Sequence, residues 1–277
     1  MMFRLAWGAL AARKLRAILT IMGIVIGPAL IVGLVGATQG FQASAEERFN
    51  NMGLNTLFVS RNFRGGLSID QRVVNEIQEI SGVALAVPYY QITGSVRVQG
   101  ESPSVRVLAL DLSKLQKIFP GVRLEEGSVP NFAALNQALV GSKVGEPEES
   151  QGSFFRVNDI ISTTFNTRVN GQSVVAARSF FVSGVLAPFG QGFFVNPDET
   201  IFINTLAGQS LIRQRTFSGI FVVTESRNDV ELVTARLNDQ FGGGLRITAS
   251  SAFLDSIRSV NQGISTILTS VAFMAVL

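Results

Sequence analysis

The chain has 277 residues, 47% of them hydrophobic and only 16% charged, with a formal net charge of +3. So little charge is unusual for a soluble protein and points to membrane segments joined to a folded domain. The sequence contains neither Cys nor His, which excludes disulfides, thiolate and ordinary His metal sites, and imidazole bases.

Residues 1–16 read as a basic, cytoplasmic N-terminus carrying Arg4, Arg13, Lys14 and Arg16. The densest basic cluster, Arg13, Lys14 and Arg16, stands directly before an apolar run. A nucleic-acid binder would gather its cations on one surface, so nucleic acid is not an expected partner. Trp7, Arg13, Lys14 and Arg16 are candidate anchors at a lipid–water interface. From Ala17 to Ala45 no residue is charged. A helix over Ile18 to Thr38 is about 31 Å long, against a hydrocarbon core of about 30 Å. A signal peptide has a shorter apolar region and a small-residue cleavage site. The spacing therefore predicts an uncleaved transmembrane helix over residues 17–40. Cations concentrated before it put the N-terminus in the cytoplasm and the following domain outside. Gly23 with Gly27, and Gly36 with Gly40, form two GxxxG pairs. Such pairs let helices approach closely, although Gly is common in membrane helices anyway. Pro28 implies a local kink.

Residues 41–258 are expected to form the extracytoplasmic domain. Alternating apolar residues predict strands at Asn55 to Ser60, Ser95 to Gly100 and Ser104 to Leu110. Between the first two, Ser68 and Gln71 resemble a capping box for a helix with Val73, Val74, Ile77 and Ile80 on one face, stopped by Gly82. The order recurs near the end of the domain. "GIFVVTES" reads as a strand, Asn228 as the cap of a helix facing inward through Val230, Val233 and Leu237, Gly242 to Gly244 as its stop, and "LRITAS" as the next strand. Residues 113–198, rich in Gly, Phe and short β-like runs, read as a β-rich insertion. The expected fold is α+β: a transmembrane helix, an extracytoplasmic α/β domain of two strand–helix–strand halves with that insertion, then the start of a second transmembrane helix. That last element is "GISTILTSVAFMAVL", within residues 259–277. A helix of those fifteen residues rises only about 22 Å, so it reads as truncated.

Chemistry is sparse. Glu125 and Glu126 are adjacent, and strand neighbours point to opposite faces, so they make no carboxylate pair. Glu146, Glu148 and Glu149 read as a solvated loop. Gly242 to Gly244 follow a helix and lack a following Lys-Ser/Thr, so they are a helix stop and not a phosphate loop. "PFGQGFFVNPDET", Pro188 to Thr200, fits either a partner-binding loop or the filled edge of a core. No nucleophile–base pair, metal cluster or cofactor motif is evident, and the chain is not expected to be an enzyme.

The order of these segments resembles the MacB/FtsX-like permease family of ABC transporters. Arg13 to Thr20 is similar to the family's opening and Met22 to Gly27 to its first span. Gly53 to Ser60 resembles the strand after that span, and Leu67 to Pro88 the helix and next strand. "LEEGSVP", "ALVGSKVGE", "FRVNDIIS" and "FFVSGVLAPFGQGFFVNPDETIFIN" follow in the family's order, while Pro28 departs from it. The resemblance implies a periplasmic core domain, a homo- or heterodimer of permease chains in the cell membrane, and a cytoplasmic ABC ATP-binding subunit as partner. It also implies that ATP hydrolysis moves the outer domain, for export or signalling. The sequence has no G-x-x-x-x-G-K-[ST] pattern, so ATP binds elsewhere. The competing expectation is a single-span, membrane-anchored binding or sensor module. A membrane-tethered enzyme is a third, disfavoured by the empty site inventory.

Overall fold

The computed structural model describes residues 53–62, 66–97, 100, 102–144, 154–169, 172–190, 192 and 194–250, together with isolated helical positions between 15 and 40 and between 259 and 270. The chain divides into two units, residues 49–253 and residues 1–48 with 254–277. In the second unit, Leu15, Ile18, Met22, Val25 and Val32 are helical and exposed, spaced by three, four and seven residues as on one helix face. No helix among the described residues is long and apolar enough to cross a membrane. Trp7, Arg13, Lys14, Arg16, Gly23 and Gly27, and most of the expected span over 17–40, lie outside the described residues.

Among the described residues, unit 49–253 has ten strands: β1 (Thr56–Arg61), β2 (Val83–Val96), β3 (Ser104–Leu110), β4 (Leu124–Gly127), β5 (Gln137–Val140), β6 (Ile160–Val169), β7 (Gln172–Leu186), β8 (Thr200–Asn204), β9 (Gly219–Thr224) and β10 (Leu245–Ala249). The helices are α1 (Gln71–Gln78), α2 (Leu115–Ile118), α3 (Thr205–Ile212) and α4 (Asp229–Phe241). Strand order is β10-β1-β9-β2-β3-β8-β5-β7-β4, with β6 pairing both β2 and β7.

Strand β2 organises the unit. Val83 to Tyr89 pairs with β9, and Tyr90 to Ser95 pairs with β3. Residues Gly94 to Val96 also pair with β6. A side chain at Gly94 would bring its Cβ to 2.6 Å from the Thr164 carbonyl oxygen, so glycine permits that third neighbour. The strand expected at Ser95 to Gly100 differs: β2 ends at Val96, and Gly100 lies in a turn. Residues 113–198 supply α2 and β4 to β7, and pairing continues from them into β2 and β8.

Three apolar layers hold the strands. Alternating residues of one strand feed different layers. Ile220 and Val222 of β9 join Val73, Ile77, Val233 and Leu237 beneath α1 and α4. Phe221 and Val223 face the opposite way, towards Tyr89, Leu112, Ile118 and Phe119. In β3, Val107 and Ala109 pack with Phe165, Phe180 and Ile203, while Leu108 and Leu110 join the Phe119 layer. Each fully buried Val, Leu, Ile or Phe stabilises the fold by about 1.5–3 kcal/mol.

The caps differ from the expected ones. Asp70, not Ser68, caps α1, its Oδ1 accepting from the Val73 amide at 3.1 Å. At α4, Asn228 makes no side-chain cap bond. Instead Asp229 Oδ2 accepts from the Ser226 amide and hydroxyl at 3.1 and 2.8 Å. Gly242 stops α4 in the left-handed region, φ 55°, as the glycine run predicts.

Candidate functional site

The start of β1 and the end of β10 lie side by side, because the strands are antiparallel with Leu57 opposite Ala249. The segments leading to the other unit therefore join this one at neighbouring strand ends. Eight polar side chains are buried among the described residues, and three of them, Thr56, Thr224 and Ser250, gather at this junction. The Ser250 hydroxyl donates to the Thr56 carbonyl at 2.9 Å. The Thr56 hydroxyl donates to the carbonyl of Ile118, at the end of α2. Asn55 Nδ2 donates to the Thr224 carbonyl at 2.9 Å, and the Thr224 hydroxyl donates back to the Asn55 carbonyl at 3.1 Å. The junction thus ties β1, β9, β10 and α2 through groups that are costly to leave unpaired once buried. A side chain at Gly53 would approach the Ile118 carbonyl to 2.6 Å, so the incoming chain lies tight against α2.

The Pro188 to Thr200 loop fills a core edge at two of its three phenylalanines. Phe194 stacks on Phe58 of β1 with centroids 4.8 Å apart, and Phe189 meets Phe119 edge-on at 6.4 Å. Buried Asp198 fixes the loop, its carboxylate accepting from the Phe189 and Gly190 amides, each at 2.8 Å. Beside it, Tyr89 packs at 4.7 Å from Phe221. Gly219 leaves room for the Tyr89 hydroxyl, which a Cβ there would strike. Burial pushes the Tyr89 phenol well above its usual range.

The other sequence candidates stay apart. Glu125 and Glu126 are both exposed on β4, at a register break against β7. Gly36 and Gly40 are helical, with nothing within 4 Å of an added Cβ. No group of His, Cys, Asp or Glu suited to a metal occurs among the described residues. A surface groove of about 610 Å3 is lined by Glu76, Glu79, Ser81, Arg236 and Asp239, among others. Arg236 already donates to the Ser81 carbonyl across it. Sequence spacing does not show the junction, because its partners are 62 to 194 residues apart. The one local signal was a polar residue at each apolar strand's end.

This architecture defines a mixed α/β domain whose first and last described strands, β1 and β10, are neighbours in the sheet. Residues 17–240 match the MacB-like periplasmic core domain, and the chain belongs to that family. It is 24% identical over 291 aligned residues to the "Macrolide export ATP-binding/permease protein MacB" of Azoarcus sp. (strain BH72), covering 99% of this chain and 42% of that protein. The protein of that name from Neisseria gonorrhoeae (strain ATCC 700825 / FA 1090) is 36% identical over 103 residues, 34% of this chain and 16% of its own length. The chain thus spans less than half the length of these curated relatives. Among solved structures, the periplasmic region of MacB from Actinobacillus actinomycetemcomitans aligns with a TM-score of 0.50 at 14% identity, over 76% of this chain and 95% of that one. That likeness concerns the fold.

Proposed function

We propose that this chain is part of the permease subunit of an ABC transporter. Residues 17–40 cross the membrane, residues 41–258 lie outside, and residues 259–277 begin a second span. An ABC ATP-binding subunit on the cytoplasmic side supplies ATP hydrolysis, and its cycle displaces the outer domain for export or signalling. The single observation that carries this reading is the family match from residue 17 to residue 240, which takes in the first apolar run as well as the domain. The junction supports it physically: displacement of either flanking segment reaches β1 and β10, which are hydrogen-bonded neighbours. Gly23 and Gly27 pack the first span against another span or a second permease chain, with Gly36 and Gly40 extending that surface. Trp7, Arg13, Lys14 and Arg16 hold the N-terminus at the cytoplasmic interface.

The test is purification of the tagged full-length protein from its own membranes, with the co-purifying proteins identified. A P-loop ATPase is expected in the complex, and trapping it with ATP and vanadate is expected to change hydrogen exchange in β1 and β10. A chain that purifies with no ATPase, or a complex whose outer domain ignores trapping, overturns the reading in favour of a single-span sensor or binding module.

A further inference from the structure

The first half of strand β2 has an edge that no other strand covers among the described residues. Val83 to Tyr89 pairs with β9 on one side, but β3 joins on the other side only from Tyr90. The Tyr89 carbonyl accepts from the Ser218 amide at 2.9 Å, towards β9. Main-chain groups alternate in direction along a strand, so Ala86 and Pro88 face the open side. Such an edge is a template for pairing with another chain. The hazard grows where the strand is apolar and uncharged, and none of the fourteen residues of β2 is charged. The strands at the two ends of the sheet differ. Strand β10 carries exposed Arg246, and β4 carries exposed Glu125 and Glu126. Charge of that kind blunts an edge, and β2 lacks it.

Two residues close the open side of β2 instead. Gln78, the last residue of α1, lays its side-chain amide along it. Its Oε1 accepts from the Ala86 amide at 2.7 Å, and its Nε2 donates to the Ala84 carbonyl at 3.4 Å. A primary amide offers one acceptor and two donors, so this side chain presents β2 with the pattern that a neighbouring strand would. Helix α1 sets its position, because Val74 and Ile77 are buried and Asp70 fixes the first turn. The next outward position is Pro88, which has no N–H to give. Proline inside a sheet is confined to edges and bulges, and here it stands where a neighbour is missing. Gln78 and Ala84 are both exposed, so solvent reaches this edge.

We propose that Gln78 and Pro88 close the β2 edge against the same edge of a second copy of this chain. Two uncharged edges that meet about a two-fold axis would pair antiparallel with each other. With the edge closed, outer domains crowded together in one membrane stay separate. The inference concerns the outer unit alone and does not depend on how ATP hydrolysis is coupled to it.

The chain contains no Cys, so Ala84→Cys puts a single thiol at the edge, and Leu232→Cys, exposed on α4, is the control. The full-length protein in its own membranes is treated with a flexible bis-maleimide, and dimer is read on a denaturing gel. With Gln78 and Pro88 in place, position 84 should give no more dimer than position 232. With Gln78→Ala and Pro88→Val together, dimer at 84 should rise about tenfold, the equivalent of about 1.4 kcal/mol, while dimer at 232 stays unchanged. Gln78→Glu beside Pro88→Val should keep the yield low, because the carboxylate still accepts from the Ala86 amide and repels its own copy. No rise at 84, an equal rise at 232 (the mark of unfolding or general aggregation), or equal yields for Gln78→Ala and Gln78→Glu each overturns the proposal.

Discussion

At the scale of single residues, the unit relies on a few buried polar groups with long-range partners. Asp198 is the sharpest case. Its carboxylate satisfies two backbone amides of the loop after β7, and hydrogen bonds to charged groups contribute about 1.5–3 kcal/mol each. Asp198→Ala should cost about 3 kcal/mol in urea unfolding, because Phe189 and Gly190 lose their acceptor; a loss below about 1 kcal/mol would show that water replaces the carboxylate. Tyr89 gives a pH prediction. Its phenol is held above the ordinary value of 10.0 by burial, so the folded chain keeps a proton that the unfolded chain releases. A raised folded value means this contribution is complete below about pH 10 and is lost as pH rises further. Wild-type melting should therefore fall above about pH 10, and Tyr89→Phe should blunt that fall. The Tyr90 phenol, also raised by burial, leaves a remainder. Parallel alkaline curves for the two proteins would contradict the account.

At the scale of elements, legibility followed the number of faces a segment buries. Helices α1 and α4 bury one face each, so Val73, Val74 and Ile77, and Val230, Val233 and Leu237, were readable from spacing. Strand β3 was readable at its full length, Ser104 to Leu110. Strand β8 was not read from alternation, since all five of its residues are buried, whereas β9, equally buried, was read from its β-branched and aromatic run. Strand β2 was read in pieces: over fourteen residues it changes neighbours and contains Pro88 and Gly94, both of which read as interruptions. The stop of α4 at Gly242 was read locally, whereas α1 ends at Gln78 with Glu79 as its cap, before the expected stop at Gly82. Gly242 holds φ at 55° with nothing within 4 Å of an added Cβ, so Gly242→Ala tests backbone strain free of any clash. It should cost about 1 kcal/mol, read from the urea midpoint, while Gly263→Ala, at a helical position equally clear of neighbours, should not destabilise. Equal effects at both sites would mean that the left-handed stop contributes nothing particular.

At the scale of the whole molecule, the proposed topology predicts which residues reagents reach from outside the cell. The argument is electrostatic. Arg13, Lys14 and Arg16 stand before the first apolar run, whereas only Arg48 follows closely, and cations near a span are retained on the cytoplasmic side. The domain's own geometry agrees with a single side for residues 53–250, since entry at β1 and exit at β10 are adjacent and no strand is left to thread elsewhere among the described residues. The chain contains no Cys, so one introduced thiol reports one place. Leu232 is exposed on α4, and Leu232→Cys should react with a membrane-impermeant maleimide added to intact spheroplasts. Trp7→Cys should stay unlabelled until the membrane is opened by detergent. Both variants must appear in the membrane fraction at wild-type amounts for the comparison to count. Labelling of residue 7 with protection of residue 232 reverses the topology. Labelling of both before detergent means that residues 17–40 do not cross the bilayer, and the permease reading falls with them.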